Sequence, residues 1–169
     1  MPEIQRRAVL ASLMAAGAAV STAASAAPML KPGDIGKEAD VACLYHCDFG
    51  DTPRFAQMLN NISNHYSVYG SNPFEIQIVT VAHSAGVKFF LETLEGTSWH
   101  KEPVPPGLFE RVAGLAQSGL RVFLCDITFE RLKLDRGKVR KADFIRFVPS
   151  GVATVAALQS KGFAYLKVG

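Results

Sequence analysis

Runs of consecutive apolar residues alternate along the chain with segments whose apolar residues recur at helical spacing. Five apolar runs predict strands, at residues 40–48, 74–82, 121–125, 145–148 and 163–168. These runs lack strict alternation, which is typical of strands that are covered on both faces. Helical spacing and turn residues predict helices at residues 52–69, 87–91, 108–117, 128–134 and 152–160. Residues 96–107, which contain three prolines, are predicted to be an irregular insertion.

The alternation of strands with helices predicts the fold class. It calls for a three-layer α/β/α domain with one mostly parallel sheet of about five strands, joined by right-handed crossovers. The carboxyl ends of parallel strands share one edge, and such folds bind ligands there. The predicted strands end in polar or reactive residues: His46, Cys47, Asp48, His83, Ser84, Cys125, Thr128 and Ser150. The sequence therefore predicts a ligand or reaction site at this edge.

Length, composition and charge narrow the class of protein. The 169 residues are enough for one domain with a core, and a hydrophobic content of 49% argues against disorder. The 18 basic and 15 acidic residues are too balanced to indicate a nucleic-acid partner. We interpret the basic run at residues 131–141 as a solvated loop.

The first 26 residues have the pattern of a signal peptide. Arg6 and Arg7 precede an Ala-rich apolar run, and the small residues at 24–26 form a cleavage signal. We expect cleavage near Ala26/Ala27 and a periplasmic or secreted protein. The paired arginines suggest the twin-arginine route, and the general secretory route stays open. The mature chain is then an extended leader at residues 27–39 and a single domain at 40–169, with no stretch that would span a membrane.

Three cysteines in an exported protein allow at most one internal disulfide. On a regular strand Cys43, Tyr45 and Cys47 point to one face and His46 to the other. Cys43 and Cys47 would then lie about 13 Å apart, beyond the roughly 7 Å that a disulfide tolerates between Cα atoms. Cys43 is predicted to lie in the core. A Cys47–Cys125 disulfide stays open, since both residues end strands.

Four segments carry a resemblance to a known family: Leu-Cys-Asp-Ile-Thr at 124–128, Val-Pro-Ser-Gly-Val-Ala at 148–153, Leu-Asn-Asn-Ile at 59–62 and Gly-Phe-Ala-Tyr-Leu-Lys at 162–167. With them, residues 40–167 resemble the DsrE/DsrF-like family of sulfur-relay proteins. The resemblance implies a compact α/β domain, often a trimer or hexamer, and a cysteine that carries sulfur as a persulfide. Cys125 matches that cysteine, whereas Asp126 and Ile127 replace a commoner glycine-asparagine pair.

The leading hypothesis is therefore an exported sulfur carrier, possible sulfurtransferase, with Cys125 as the catalytic residue and no cofactor. Its partners would be sulfur donor and acceptor proteins or small thiols. His83, Cys47, Thr128 and Ser150 would support the thiol, and Arg131 would supply positive charge. The alternative for Cys125 is a purely structural role, as a small buried residue at the end of a strand.

The rival hypothesis is a non-catalytic binding or assembly module that uses the same edge of the sheet. It would hold a protein partner, or copper or zinc through Cys47, His46 and His83. His65, Trp99 and His100 are expected to have packing or surface roles. Neither a Ser-His-Asp set nor a phosphate-binding glycine loop is recognisable.

Overall fold

The computed structural model describes residues 27–169, so the predicted signal peptide lies outside the described residues. The five strands are β1 Val41–Cys47, β2 Ile76–Ala82, β3 Arg121–Cys125, β4 Ile145–Val148 and β5 Ala164–Leu166. They form one sheet in the order β4-β3-β2-β1-β5, and every pair is parallel. The predicted class, a parallel α/β sheet with helices on both faces, is confirmed.

The helices are α1 Thr52–Val68, α2 Gly107–Gln117, α3 Asp126–Arg131 and α4 Gly151–Ser160. Two helical segments differ from the prediction. The helix expected at residues 87–91 is a 3₁₀ helix, Ser84–Phe90, in which Gly86 to Phe90 are all buried. Because most of this segment is buried on all sides, its geometry follows tertiary packing rather than helical amphipathicity. The short helix expected at 128–134 begins directly after Cys125 instead.

The chain order decides which face of the sheet each helix covers. From β1 to β4 the chain steps in one direction, so right-handed crossovers put α1, α2 and α3 on one face. The step from β4 to β5 runs back past β3, β2 and β1, so α4 must cross the opposite face. Leu158 of α4 accordingly packs in a second, smaller core with Leu44, Val81 and Phe123.

The predicted alternation of β1 is present. Cys43, Tyr45 and Cys47 belong to the larger core on the α1 face, and Leu44 belongs to the core under α4. His46 therefore points to the α4 face, at the carboxyl edge of the sheet. The same alternation in β3 puts Leu124 in the larger core and turns Cys125 toward the α4 face.

The leader is extended and packs against the edge of the sheet. Met29 pairs in parallel with Phe147 of β4. The Leu30 N–H donates to the Phe147 carbonyl at 2.8 Å, and the Phe147 N–H donates to the Pro28 carbonyl at 2.9 Å. This short pairing covers part of an otherwise open edge strand. Within residues 27–169, no helix combines the length and apolarity needed to cross a membrane.

Candidate functional site

A cavity of about 640 Å³ opens at the carboxyl edge of the sheet. The loops after β2, β3 and β4 build it, together with part of the irregular insertion. Its lining residues are His83, Ser84, Ala85, Ser98, Trp99, Cys125, Ile127, Thr128, Arg131, Leu132, Ser150 and Val152. Five of the eight residues that the sequence placed at this edge therefore line one cavity: His83, Ser84, Cys125, Thr128 and Ser150.

Cys125 is the last residue of β3 and the N-cap residue of α3. Its side chain is 5% exposed and lines the cavity. It also lies against the first residue of α4, because a β-carbon added to Gly151 would lie 3.1 Å from Cys125 Cβ and 3.0 Å from His83 Cβ. Glycine at this position lets the thiol and the imidazole approach the start of α4 together. The thiol of Cys125 therefore lies next to the N-terminus of α4.

The carboxylate of Asp126, next to Cys125, is paired. Arg136 Nε donates to Asp126 Oδ1 at 2.5 Å, and Arg136 also lies 3.6 Å from Glu130. The pKa of Arg136 is raised by the hydrogen bond to Asp126. The ion pair balances the charge that would otherwise oppose a thiolate at Cys125. Arg136, which belongs to the basic run at residues 131–141, is therefore held by an ion pair rather than being freely solvated.

Ser84, Thr128 and Ser150 shape the walls of the cavity. Ser84 has a φ of 51°, in the left-handed region that residues with a side chain rarely adopt. Its N–H donates to Thr128 Oγ1 at 3.1 Å, which links the loops after β2 and β3. Ser150 Oγ accepts the Ala153 N–H at 3.3 Å and caps α4. Strained backbone held by a neighbouring loop is typical of functional sites.

The structure does not bring Cys47 to the cavity. Cys47 is fully buried on the α1 face, where a β-carbon on Gly86 would lie 2.1 Å from its carbonyl oxygen and 2.9 Å from its Sγ. Burial raises the pKa of the Cys47 thiol. The thiols of Cys43, Cys47 and Cys125 are all free, so the structure contains no Cys47–Cys125 disulfide. Cys43 lies in the core as predicted, with its Sγ 4.0 Å from His65 Nε2.

His46 and His83 meet beside the cavity. Their Nε2 atoms lie 2.7 Å apart, close enough to share one proton in a hydrogen bond. His46 Nδ1 lies 2.7 Å from Tyr165 Oη, and His83 Nδ1 lies 3.0 Å from Ser84 Oγ. Burial lowers the pKa of both imidazoles. A continuous chain of hydrogen bonds thus runs from Tyr165, at the surface, to Ser84 in the cavity wall.

Asp48 completes a group of three potential metal ligands with these histidines. One ligand atom from each of His46, Asp48 and His83 lies within 4.8 Å of the others. The Asp48 carboxylate accepts a hydrogen bond from Lys167 Nζ at 2.8 Å. Burial acts to raise the pKa of Asp48, but the Lys167 hydrogen bond and nearby charge outweigh it and lower the pKa overall. Asp48, which directly follows β1, takes the place that the sequence hypothesis gave to Cys47, because Cys47 points to the opposite face of the sheet from His46.

Comparison with known proteins now identifies the family. The pattern of the DsrE/DsrF-like family matches residues 43–168, most of the chain. The chain belongs to the DsrE/DsrF-like family. The structure of a protein of unknown function from Methanobacterium thermoautotrophicum has the same fold as this DsrE/DsrF-like chain, with a TM-score of 0.59 and 22% identity. That alignment covers 76% of this chain and 99% of the other. No curated protein matches.

Several residues lining the cavity of this DsrE/DsrF-like domain were not nominated from the sequence. Trp99 and Ser98 come from the irregular insertion, which Lys88 anchors by an ion pair with Glu102. Leu132 and Val152 add apolar surface and are 45% and 67% exposed. Ser98 and Trp99 could have been nominated from the position of the insertion in the chain, because the insertion comes between β2 and β3 and both strands end at the edge of the sheet that carries Cys125. Arg131 lines the cavity, in the place suggested for a positive charge.

Proposed function

We propose that this DsrE/DsrF-like protein binds sulfane sulfur as a persulfide on Cys125 and relays it, as a sulfur carrier or sulfurtransferase. The position of Cys125 carries the proposal. Cys125 is the last residue of β3, which is an inner strand of the sheet. It is the N-cap residue of α3, lies against the first residue of α4 and lines the cavity of about 640 Å³. Membership of a family with a sulfur-relay type of fold supports the same conclusion.

The proposed transfer is a thiol–persulfide exchange. The Cys125 thiolate attacks the outer sulfur of a donor persulfide or polysulfide. A bond forms between Cys125 Sγ and that sulfur, the sulfur–sulfur bond of the donor breaks, and the rest of the donor leaves as a thiolate or, from a polysulfide, as a shorter polysulfide anion. The attacking electron pair comes from Cys125 and the pair of the broken bond leaves with the donor. The step therefore needs no cofactor, oxidant or reductant, and an acceptor thiol takes the sulfur by the same exchange.

The surrounding residues have roles that follow from their places. His83 flanks Gly151 together with Cys125, so its side chain forms part of the cavity wall beside the thiol. Arg131 offers positive charge to an anionic donor that enters the cavity. Thr128 holds the Ser84 loop, and Ser150 caps α4, so both act by positioning. Cys47, sealed in the core, would contribute packing rather than chemistry.

Mass spectrometry tests the proposal directly. Native protein exposed to inorganic polysulfide and quenched with an alkylating agent should gain about 32 Da, one sulfur atom, on the peptide that contains Cys125. A thiol reductant should remove the gain. Cys125→Ser should lose the adduct, and the matched variant Cys47→Ala should keep it. If Cys125 never carries the extra sulfur, or if Cys125→Ser retains it elsewhere, the proposal fails.

The second candidate is a binding or assembly module without turnover. The exposed Leu132 and Val152 at the cavity favour it, because exposed apolar side chains beside a cavity are typical of contact surfaces. Repeated loading and unloading separates the two candidates. A carrier should deliver the Cys125 sulfur to a small acceptor thiol and accept sulfur again, whereas a binding module should do neither at a useful rate.

Export and assembly complete the proposal. We propose that the chain acts in the periplasm or outside the cell after cleavage near Ala27, and that it forms a homotrimer or homohexamer. N-terminal sequencing of protein from cells that express the full gene should read Ala27 or a close neighbour. Light scattering on the mature protein should give three or six times the chain mass. An uncleaved cytoplasmic protein would contradict export, and a monomer would contradict assembly.

A further inference from the structure

We propose that His46, Asp48 and His83 form a binding site for a divalent transition-metal ion such as Zn²⁺. The three residues come from the ends of β1 and β2, which are paired neighbours in the sheet. Two imidazoles and one carboxylate are ligands that zinc and its neighbours in the first transition row accept. The site lies beside the Cys125 cavity and does not depend on the proposed sulfur chemistry.

The distances fit an ion after a small adjustment. The two Nε2 atoms lie 2.7 Å apart and all three ligand atoms lie within 4.8 Å of one another. Ligand nitrogens around a tetrahedral zinc ion lie about 3.4 Å apart, given metal–nitrogen bonds of about 2.0–2.1 Å. The two rings therefore need to separate by less than an ångström. The carboxylate of Asp48 needs to move farther, by up to about 1.4 Å, to bring its oxygen from within 4.8 Å to the same separation.

The second observation is that each imidazole already has a partner on its far nitrogen. His46 Nδ1 lies 2.7 Å from Tyr165 Oη, and His83 Nδ1 lies 3.0 Å from Ser84 Oγ. Histidines that bind metals almost always donate their other N–H to an oxygen, which fixes the ring and its tautomer. When both Nδ1 atoms donate to these oxygens, the two Nε2 lone pairs face each other and can bind one cation together.

Lys167 opposes a metal ion at this site. Its ammonium group donates to Asp48 Oδ2 at 2.8 Å, so the carboxylate already has a cation. Lys167 follows β5 near the end of the chain and its side chain is 40% exposed, so it can leave the site without disturbing the core. A bound ion would take over the carboxylate, and the ammonium would move into solvent. The prediction is that removing this side chain strengthens metal binding.

The same contacts predict an open coordination position. Three protein ligands leave a fourth position of a tetrahedral ion for water or a small ligand, as in catalytic zinc sites. His83 also lines the cavity, so an ion bound to it would lie beside the space that Cys125 faces. The remaining His residues of the described chain are placed differently. His65 contacts Tyr45 and Cys43, and His100 is exposed and hydrogen-bonded to Thr97, so His100 serves as a control.

Calorimetric titration of Zn²⁺ into chelator-treated protein tests the site. Wild-type protein should bind a single Zn²⁺ per chain. His46→Ala, His83→Ala and Asp48→Asn should each weaken binding by at least about tenfold, by analogy with the size of losses around metal sites. Lys167→Met should bind several-fold tighter, whereas His100→Ala and Cys125→Ser should bind as wild type. Circular dichroism of each variant confirms that it is folded.

Co²⁺ substitution gives a second readout that does not depend on affinity. The expected spectrum has the visible bands of a four- or five-coordinate ion with nitrogen and oxygen ligands and no sulfur-to-metal charge-transfer band. The proposal is overturned if wild-type protein takes up no stoichiometric metal. It is also overturned if binding survives in both His46→Ala and His83→Ala, or if a sulfur band appears that Cys125→Ser removes.

Discussion

Cys47 and Cys125 each end a parallel strand, but the packing around the two sulfurs differs. Cys47 points to the α1 face and is fully buried, and burial raises its pKa. Cys125 points to the α4 face, at the start of α3 and against Gly151, and lines a cavity. The strand alternation alone accounts for the difference, because the two thiols lie on opposite faces of the sheet. At neutral pH we therefore expect the thiol of Cys125 to react with small reagents and the thiol of Cys47 to stay protected.

We predict that iodoacetamide alkylates the native protein at Cys125 well before the other two thiols. The reagent is small enough to enter the cavity, whereas Cys43 and Cys47 require local unfolding to be reached. Peptide mapping after timed quenching at neutral pH measures the order. In denaturant all three cysteines should react at similar rates, which serves as the control. Native labelling of Cys47 as fast as Cys125 would contradict the assigned environments.

Gly86 is a residue whose replacement should damage the fold rather than the site. A β-carbon there would lie 2.1 Å from the Cys47 carbonyl oxygen, a backbone atom that cannot rotate away. We predict that Gly86→Ala lowers the free energy of unfolding by about 3 kcal/mol, the upper part of the range for overpacking. Gly114→Ala, inside α2 with nothing within 4 Å of the added carbon, should instead raise it by about 1 kcal/mol. Urea unfolding monitored by circular dichroism measures both, and equal effects would be inconsistent with this packing.

The N-terminus of α4 forms part of the candidate site as well as part of the packed fold. Ser150 caps the helix, and Gly151 brings its first turn against Cys125 and His83. The motif could be recognised in the sequence because serine before glycine at the end of a strand is a common helix start. The effect of this motif on the thiol could not be recognised in the sequence, because Gly151 and Cys125 are 26 positions apart in the chain. Element boundaries follow from local chemistry, whereas the contacts between elements follow from the sheet order.

We predict that Ser150→Ala destabilises the protein by about 1 kcal/mol, since it removes the side-chain acceptor of the Ala153 N–H. The first turn of α4 should fray, which loosens the wall of the cavity at Gly151. Cys125 should then be alkylated faster in the native protein while Cys47 stays protected. Thermal unfolding and the labelling assay measure the two effects. Ser150→Thr keeps a capping oxygen and should lie close to wild type; a large loss in that variant would point to another role.

For the whole molecule, the sheet could be predicted and the site only in part. Buried strands give continuous apolar runs, and right-handed crossovers leave few arrangements for a chain of this order. Three features came only from the structure. The leader pairs with β4 through backbone groups, which leave no mark on the sequence. Trp99 reaches the cavity through an insertion without periodicity, and Asp48 rather than Cys47 joins the two histidines as a potential metal ligand.

The stability of the folded chain should fall in alkaline solution, and the thiol of Cys47 is a principal cause. Burial raises its pKa above the value of about 8.5 for an unfolded thiol, so above that pH the folded chain keeps a proton that the unfolded chain releases. The unfolded state then binds fewer protons, and the free energy of unfolding falls by up to about 1.4 kcal/mol per pH unit for this group. The contribution is complete below about pH 8.5 and is lost as the pH rises from there toward the raised folded value.

Urea unfolding at intervals from pH 7 to pH 10 checks this expectation. That range stays below the ionisation of Tyr45, whose pKa burial raises to about 12, although unfolded tyrosines begin to contribute near pH 10. Cys47→Ala removes the group without adding a polar atom to the core, so it should be less stable than wild type at pH 7. The two stability curves should approach each other above pH 9, because only the wild type still has the thiol to ionise on unfolding. A constant gap between them up to pH 10 would mean that Cys47 is not held protonated in the folded state.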